Sequence, residues 1–323
     1  MTLAIRRTSP RPAAVRVGVT LAACAVIGAT VTGCGSGPAE IGTAAIVGGH
    51  PISLDFVQQN ISNVLTDSAD ARSLQQQKPS TFPPVARNVV KYAVWDELSN
   101  QLAAKQGIRI DQTQVDTLYN QVQQGGGAPA LSALKNIPLK GEPLRNYVRD
   151  LLIWQQLGTK DRNLTISLDA AVVADRATAQ ALVGKVAANP DQDKALFQQA
   201  GAASQQVAVD QPFTPANTAP VLFPAFGLNP GTVAAFDASS ENGDSWIVVY
   251  VKKRADTAGQ SSDVQADPQT DVTLGQERMF QYSTQAGVTL NPRFGIWEPV
   301  IGAVSPSDGE SSTITATAKK PNP

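Results

Sequence analysis

The chain has 323 residues, of which 42% are hydrophobic and 16% are charged, and this composition is that of a globular protein. Its 26 basic and 27 acidic residues give a net charge of −1, which argues against the concentrated positive charge that nucleic-acid binding requires. One histidine and two cysteines argue against histidine-rich zinc sites, Cys-His catalytic pairs and disulfide frameworks.

The N-terminal segment has the layout of a secretory signal, with a basic start and an apolar middle. An uncharged apolar stretch over residues 17–31 follows four arginines, Arg6, Arg7, Arg11 and Arg16. The residues Val31-Thr32-Gly33-Cys34 then resemble a bacterial lipobox, whose cysteine receives a diacylglycerol before the signal is cut. We therefore expect a signal peptide over residues 1–33 and a lipidated Cys34 as the first residue of the mature chain.

Two alternatives to the lipoprotein stay open, a signal peptide without a lipid and an uncleaved transmembrane anchor. The anchor would need about 20 predominantly apolar residues, and the run here is shorter and contains Gly and Thr. The other cysteine, Cys24, lies within the segment to be removed, so a mature chain that begins at Cys34 has no disulfide. The lipid would place the protein on the extracytoplasmic face of a bacterial cell membrane.

Removal of the signal changes the charge of the remaining 290 residues. The segment takes away four arginines and no acid, which leaves 22 basic and 27 acidic residues and a net charge of −5. This balance makes nucleic acid a still poorer partner. Residues 34–43 are small and polar, and they predict a short tether between the lipid and the fold.

The next 120 residues or so predict a helical domain that opens with a strand. Residues 45–47 predict the strand, and Ser53 is a typical N-cap for the first helix. The polar segment 69–82 predicts a loop. A second helix is expected from Pro83-Pro84 to Gly107, because its apolar residues recur every four positions, at Val90, Val94, Leu98 and Leu102.

Further helices are expected along the same domain. Asp111, followed three residues later by Gln114, predicts the start of a third helix, which should end at the glycines 125–127. Two more helical stretches are expected around residues 129–136 and 143–157.

Two strings in this region carry a resemblance to a known family. "AAIVGGHPIS" before the first helix and "AAKQGIRIDQTQVD" before the third resemble the N-terminal chaperone domain of the SurA and PrsA family of extracytoplasmic foldases. The resemblance covers residues 44–158 and implies a mainly helical chaperone domain there.

The segment 165–254 resembles a degenerate parvulin-type prolyl isomerase module. It predicts strands at residues 170–173 and 246–251 with two helices between them, and Leu228-Asn229-Pro230-Gly231-Thr232-Val233 matches the parvulin turn. Active parvulins carry a histidine on the first strand and another on the last. This chain offers Ala170 on the first, Trp246 near the second position, and "VDQPFTPANTAP" in place of the glycine-rich stretch.

Catalysis is therefore not expected, and if the chain is an enzyme, prolyl isomerisation is the activity to test. The single histidine, His50, is expected to be a solvated turn residue. Acidic pairs such as Asp96-Glu97 are expected on solvated helix faces, which argues against paired-carboxylate hydrolysis. No metal or cofactor is expected.

The C-terminal part is expected to return to the first domain. Residues 271–304 predict a helix ending near Gly287 and then an extended segment, and the polar residues 305–323 predict a disordered tail. The expected fold class is α+β and mainly helical, with the SurA-like helical chaperone domain interrupted by the parvulin-like α/β module.

The resemblance implies a membrane-tethered chaperone, a holdase or foldase, whose partners are unfolded or extended exported polypeptides. A chaperone of this class needs an apolar groove, and its candidate aromatic residues are Tyr92, Trp95, Trp154, Phe294 and Trp297. The alternative for each of these residues is ordinary core packing. Two alternatives for the whole chain stay open, an active peptidyl-prolyl isomerase and a non-chaperone envelope lipoprotein that serves as a scaffold or binding protein.

Overall fold

A computed structural model describes residues 42–77, 83–124, 141–239, 244–256 and 267–319. The expected signal peptide, Cys34, the tether up to residue 41 and the expected helical stretch at 129–136 lie outside the described residues. The helices are α1 (Leu54–Asp67), α2 (Ala69–Gln77), α3 (Pro83–Gln106), α4 (Gln112–Gln123), α5 (Glu142–Thr159), α6 (Arg176–Ala188), α7 (Asp193–Ala200) and α8 (Pro268–Ala286). Among these described helices, none is both long and apolar enough to span a bilayer.

The strands are β1 (Thr43–Val47), β2 (His50–Ser53), β3 (Leu164–Val173), β4 (Val207–Phe213), β5 (Thr232–Asp237), β6 (Trp246–Asp256), β7 (Val288–Leu290), β8 (Ile296–Glu298), β9 (Ala303–Ser305) and β10 (Thr313–Thr317). Across the described ranges they form three sheets, with strand orders β2-β1-β7, β10-β5-β6-β3-β4 and β8-β9. The expected fold class, α+β with more helix than strand, is confirmed.

The first sheet joins the start of the described chain to the segment just after α8. Gly48 and Gly49, with φ of 58° and 83°, form the turn that lets β2 fold back on β1. The other edge of β1 pairs with β7, where Ala45 lies opposite Leu290. A core of apolar residues from β1, α1, α3, α5, α8 and the segment after α8 packs beside this sheet. The first strand is thus held by residues nearly 250 positions away in the sequence.

Local signals place most of the helix ends. The Ser53 hydroxyl accepts a hydrogen bond from the Phe56 amide, and the Asp111 carboxylate accepts one from the Thr113 amide. Gly107 ends α3 with a φ of 65°. The expected loop at residues 69–82 is wrong over its first part, because α2 forms there with the Ser68 hydroxyl as its cap.

Helices α5 and α8 approach each other closely at two glycines. A Cβ on Gly158 would overlap the backbone of Asp271, and a Cβ on Gly275 would overlap the backbone of Trp154. An ion pair between Arg278 and Asp161, with 2.6 Å between Nη1 and Oδ1, links α8 to the segment just after α5. The backbone contact sets the position of α5 relative to the returning helix.

The second sheet has a packed core on each face. On one face, α6 and α7 cover a cluster that includes Val173, Phe197 and Trp246. On the other face, a 3₁₀ helix at Pro220–Gly227 and residues of α8 supply Phe226 and Leu274. Both faces of this sheet are therefore covered by the chain itself.

The expectation of a disordered tail over residues 305–323 is wrong for much of the segment. Strand β10 pairs antiparallel with β5 along its whole length, from Thr313 opposite Phe236 to Thr317 opposite Thr232. The hydroxyls of Ser311 and Thr313 donate to the buried carboxylate of Glu298, at 2.7 and 2.8 Å. Small polar residues suggested disorder, but threonine is β-branched and these hydroxyls satisfy a buried charge.

Candidate functional site

A pocket lies between α1, α3 and α5, and we call it the α1–α3–α5 pocket. It holds about 650 Å³ of empty space, part of it open to solvent. Its lining consists of Phe56, Asn60, Asn63, Val64, Asp67, Val89, Tyr92, Ala93, Asp96, Pro143, Asn146, Tyr147 and Asp150. On each helix these residues follow the i, i+3, i+4 or i+7 spacing that brings side chains to one face.

Four aromatic rings form a closed cycle of contacts at the base of the pocket, two of them in its lining and two behind. Tyr92 contacts Trp95 and Tyr147 at centroid distances of 5.5 and 5.6 Å, and Trp154 closes the cycle at 5.6 Å from Trp95 and 5.7 Å from Tyr147. All four contacts are edge-to-face, with interplanar angles of 83° to 89°. Trp154 is fully buried, and its Nε1 donates to the Ser99 hydroxyl at 2.9 Å. The two tyrosines in the pocket are therefore held rigidly from behind.

Two carboxyl groups in the lining, the partly buried Asp96 and the buried Asp150, differ in their partners. Asp96 accepts hydrogen bonds from Arg149 at 2.6 Å and from Asn100 at 3.2 Å. Asp150 is only 2% exposed, and its Oδ1 has no hydrogen-bond partner among the described residues. Burial raises the pKa of Asp96 and raises the pKa of Asp150 well above its usual value, and the charge of Asp96 adds to the rise at Asp150.

A lysine stands beside the pocket but outside its lining. The Lys91 ammonium lies 4.7 Å from the ring centre of Tyr92 and 4.8 Å from that of Trp95, which is cation–π geometry. Burial lowers the pKa of Lys91 to about 8.

The five aromatic residues expected in a groove do not line one surface. Tyr92 lines the pocket. Trp95 and Trp297 are partly buried, and their indole N–H groups donate to Gly302 O at 2.7 Å and to the Ser283 hydroxyl at 3.3 Å. For Trp154 and Phe294 the expectation of a groove role is wrong, because both side chains pack inside the first core.

Three features of the pocket were not expected from the sequence. Phe56, which is 49% exposed, and Tyr147 add aromatic surface. Asp150 supplies the unpartnered carboxyl oxygen. The expectation that Asp96 lies on a solvated face is also wrong, since its side chain is only 27% exposed. The spacing on each helix was visible in the sequence, but the convergence of these three helices was not.

The second sheet separates the positions where a parvulin would carry its histidines. Trp246 lies opposite Val173 in the β3–β6 pair, and Ala170 lies opposite Val249. Since side chains alternate along a strand, Trp246 shares the α6 face with Val173, while Ala170 lies on the other face. The single histidine, His50, is 68% exposed in the β1–β2 hairpin, with its Nδ1 2.9 Å from a Glu97 carboxylate oxygen.

A polar cluster around Lys252, beside the second sheet, consists of ion pairs. The Lys252 ammonium lies 2.9 Å from Asp169 and 2.6 Å from Asp193, and it also contacts Asp210. In the part of the chain that the structure describes, no group of three or more His, Cys, Asp or Glu side chains is placed to hold a metal ion.

No protein-family model and no curated protein matches the chain. Solved structures do match it. The PrsA foldase of Lactococcus lactis is 13% identical over 77% of this chain and 94% of its own, with a TM-score of 0.25. The PrsA foldase of Streptococcus pneumoniae is 11% identical over 76% and 87%, with a TM-score of 0.23. A structure from a study of two SurA-like chaperones of Campylobacter jejuni is 15% identical over 75% and 92%, with a TM-score of 0.23.

The family that the sequence resembles is thus the family found among the matched structures.

Proposed function

We propose that the chain is a membrane-tethered extracytoplasmic chaperone that holds unfolded or extended segments of exported polypeptides without catalysing prolyl isomerisation. The observation that carries the proposal is the α1–α3–α5 pocket, where the half-exposed Phe56 shares the lining with Tyr92 and Tyr147. Behind these two tyrosines lie Trp95, which contacts Tyr92, and the buried Trp154, which contacts Tyr147. The lipobox-like residues before Cys34 support the tether.

The pocket suits one side chain of a client at a time. Burial of about 100 Å² of apolar surface contributes roughly 2.5 kcal/mol before the entropic cost of binding, so each such contact is weak and readily released. Rigid aromatic walls lose little conformational entropy on binding, and they demand no single client sequence. Those are the properties expected of a holdase.

The second sheet supports the absence of catalysis. Rotation about a prolyl peptide bond has a barrier of about 18–20 kcal/mol, and its reduction requires placed polar groups at the twisted amide. The two positions where a parvulin would carry its histidines hold Ala170 and Trp246, and these residues lie on opposite faces of the sheet. The Ala170 face is packed against Phe226 and Leu274, and Ala170 itself is only 8% exposed.

An aggregation assay tests the proposal. The processed chain, purified from cells, is mixed with a chemically unfolded client, and light scattering reports aggregation. We expect the wild-type chain to suppress scattering, and we expect Phe56→Ala to need several-fold more protein for the same effect, since it removes exposed apolar surface from the pocket. The matched control is Val221→Ala, which alters a residue that is 46% exposed and lies on the 3₁₀ helix at Pro220–Gly227, away from the pocket.

The same preparations are assayed for isomerisation of an Xaa-Pro peptide, where we expect no rate above background. Isomerisation at the rate of an active enzyme would establish the prolyl isomerase instead. Loss of suppression in both variants, or in neither, would remove the pocket from the proposal. The absence of both activities, together with capture of one folded partner, would establish the scaffold or binding lipoprotein.

A further inference from the structure

We propose that the α1–α3–α5 pocket takes a positively charged side chain of the bound polypeptide, a lysine or an arginine, whose cationic head donates to Oδ1 of Asp150. The inference rests on the proposed function and specifies which segments of a client the pocket holds.

The first observation is the unpartnered oxygen itself. Asp150 lines the pocket and is only 2% exposed, yet its Oδ1 accepts no hydrogen bond from any described residue. Buried polar atoms in folded proteins almost always have a partner, and an exception calls for a ligand or another cause. The neighbouring Asp96 shows the contrast, because Arg149 and Asn100 already donate to it.

The second observation is the charge of the lining. Its 13 described residues include the carboxyl groups of Asp96 and Asp150, together with that of Asp67, which has an interaction partner of its own, and no lysine or arginine. Among the described residues, Arg149 pairs with Asp96 through Nη2, although its buried Nε has no hydrogen-bond partner, and the Lys91 ammonium lies over the rings of Tyr92 and Trp95. Burial and the neighbouring Asp96 raise the pKa of Asp150, so a cation that enters the pocket stabilises the ionised form of that carboxyl group. The resulting charge-assisted hydrogen bond would form in a site of low exposure, where such bonds are strong.

The third observation is the apolar part of the wall. Phe56, Val64, Val89 and the rings of Tyr92 and Tyr147 line the same space as the acids. A lysine or arginine side chain matches this combination, because its aliphatic stem packs on apolar surface and its head is attracted to aromatic faces and carboxylates. A purely apolar side chain would leave Asp150 Oδ1 without a partner, and a carboxylate would be repelled.

Two labelled peptides test the inference on the processed chain. They are extended and otherwise neutral, and they differ only at a central lysine, which the second peptide replaces with norleucine. Fluorescence anisotropy gives both dissociation constants. We expect the wild-type chain to bind the lysine peptide roughly tenfold more tightly, the scale of one hydrogen bond to a charged group. Asp150→Asn cannot ionise and should abolish this preference, so that the two peptides bind with equal affinity.

The control variant is Asp191→Asn, which removes an exposed acidic group just before α7. It should keep the preference for the lysine peptide. Circular dichroism checks the fold of each variant, and the comparison of the two peptides on the wild-type chain needs no variant. Equal affinity of that chain for both peptides, or an unchanged preference in Asp150→Asn, would overturn the inference while the chaperone stands. No binding of either peptide, together with no suppression of aggregation, would overturn the proposed function itself.

Discussion

Glu277 on α8 is buried, and among the described residues no hydrogen-bond donor reaches its Oε2 to stabilise the ionised form. The residue is 6% exposed. Burial raises its pKa from 4.5 to about 8. The folded protein therefore keeps this carboxyl group protonated at neutral pH, whereas the unfolded chain ionises it.

The free energy of unfolding should consequently fall as the pH rises. Below pH 4.5 both states hold the proton and there is no penalty. Between pH 4.5 and about 8 only the unfolded chain loses it, which costs on the order of 3 kcal/mol by pH 7. We expect Glu277→Gln to remove this part of the pH dependence and to be more stable than wild type at pH 7, as measured by urea unfolding from pH 5 to 8.

Glu142→Gln is the matched control for that series, since Glu142 is exposed in the first turn of α5. It should keep the wild-type slope. A Glu277→Gln profile parallel to that of wild type would show that the carboxyl group is hydrated in solution.

At the residue scale, the sequence predicts what depends on neighbours in the chain. The caps at Ser53 and Asp111 were predicted because a cap involves residues two or three positions apart. The partial burial of Asp96 and the full burial of Asp150 were not predicted, because both occupy ordinary helical positions and are enclosed by helices from elsewhere. The identity of the candidate site therefore depended on the structure.

Helices α5 and α8 cross with their backbones in close contact, at a glycine on each helix. Gly275 faces the backbone of Trp154, and Gly158 faces that of Asp271. Glycine inside a helix ordinarily costs roughly 0.5–1 kcal/mol relative to alanine. Here it permits an approach that any side chain would prevent, and the same crossing supports Trp154 beneath the pocket.

Gly275→Ala should destabilise the protein even though alanine is the better helix former. The added Cβ must displace the α5 backbone, a clash for which we expect a loss of about 2–3 kcal/mol in the free energy of unfolding. Gly184→Ala in α6 is the control, since nothing lies within 4 Å of the Cβ it would add. It should gain roughly 0.5–1 kcal/mol. Urea unfolding measures both, and two equally benign variants would show that α5 and α8 lie further apart.

Elements with strong periodicity were predictable, and elements stabilised at a distance were not. The apolar repeat of α3 predicted its whole length. Helix α2 lacks such a repeat and depends on Ser68 and on Arg72, which donates to the last carbonyls of α1 at 2.8 and 2.6 Å. Strand β10 exists because β5, some 80 residues earlier, offers it an edge.

On the scale of the whole molecule, α8 belongs to both large cores. Its Met279 packs in the first core and its Leu274 in the second. Strands β7 and β10 likewise pair with β1 and β5, so the end of the chain completes both sheets. The order of sequence motifs suggested a return to the first domain, but the second return, to β5, has no motif because it consists only of a polar strand.

The attachment to the membrane is the remaining property of the whole molecule. The chain after residue 33 carries a net charge of −5, which an anionic bilayer surface repels, so the proposed attachment depends on lipid at Cys34. A single acyl chain binds a bilayer only marginally, and the two or three chains of a lipoprotein are needed for a stable anchor. We expect Cys34→Ala to move the protein to the soluble fraction or to leave it unprocessed, as immunoblots of cell fractions would report. Cys24→Ala should change neither property, because that residue lies in the segment to be removed. A Cys34→Ala protein that is processed normally and stays with the membrane would refute the lipid anchor.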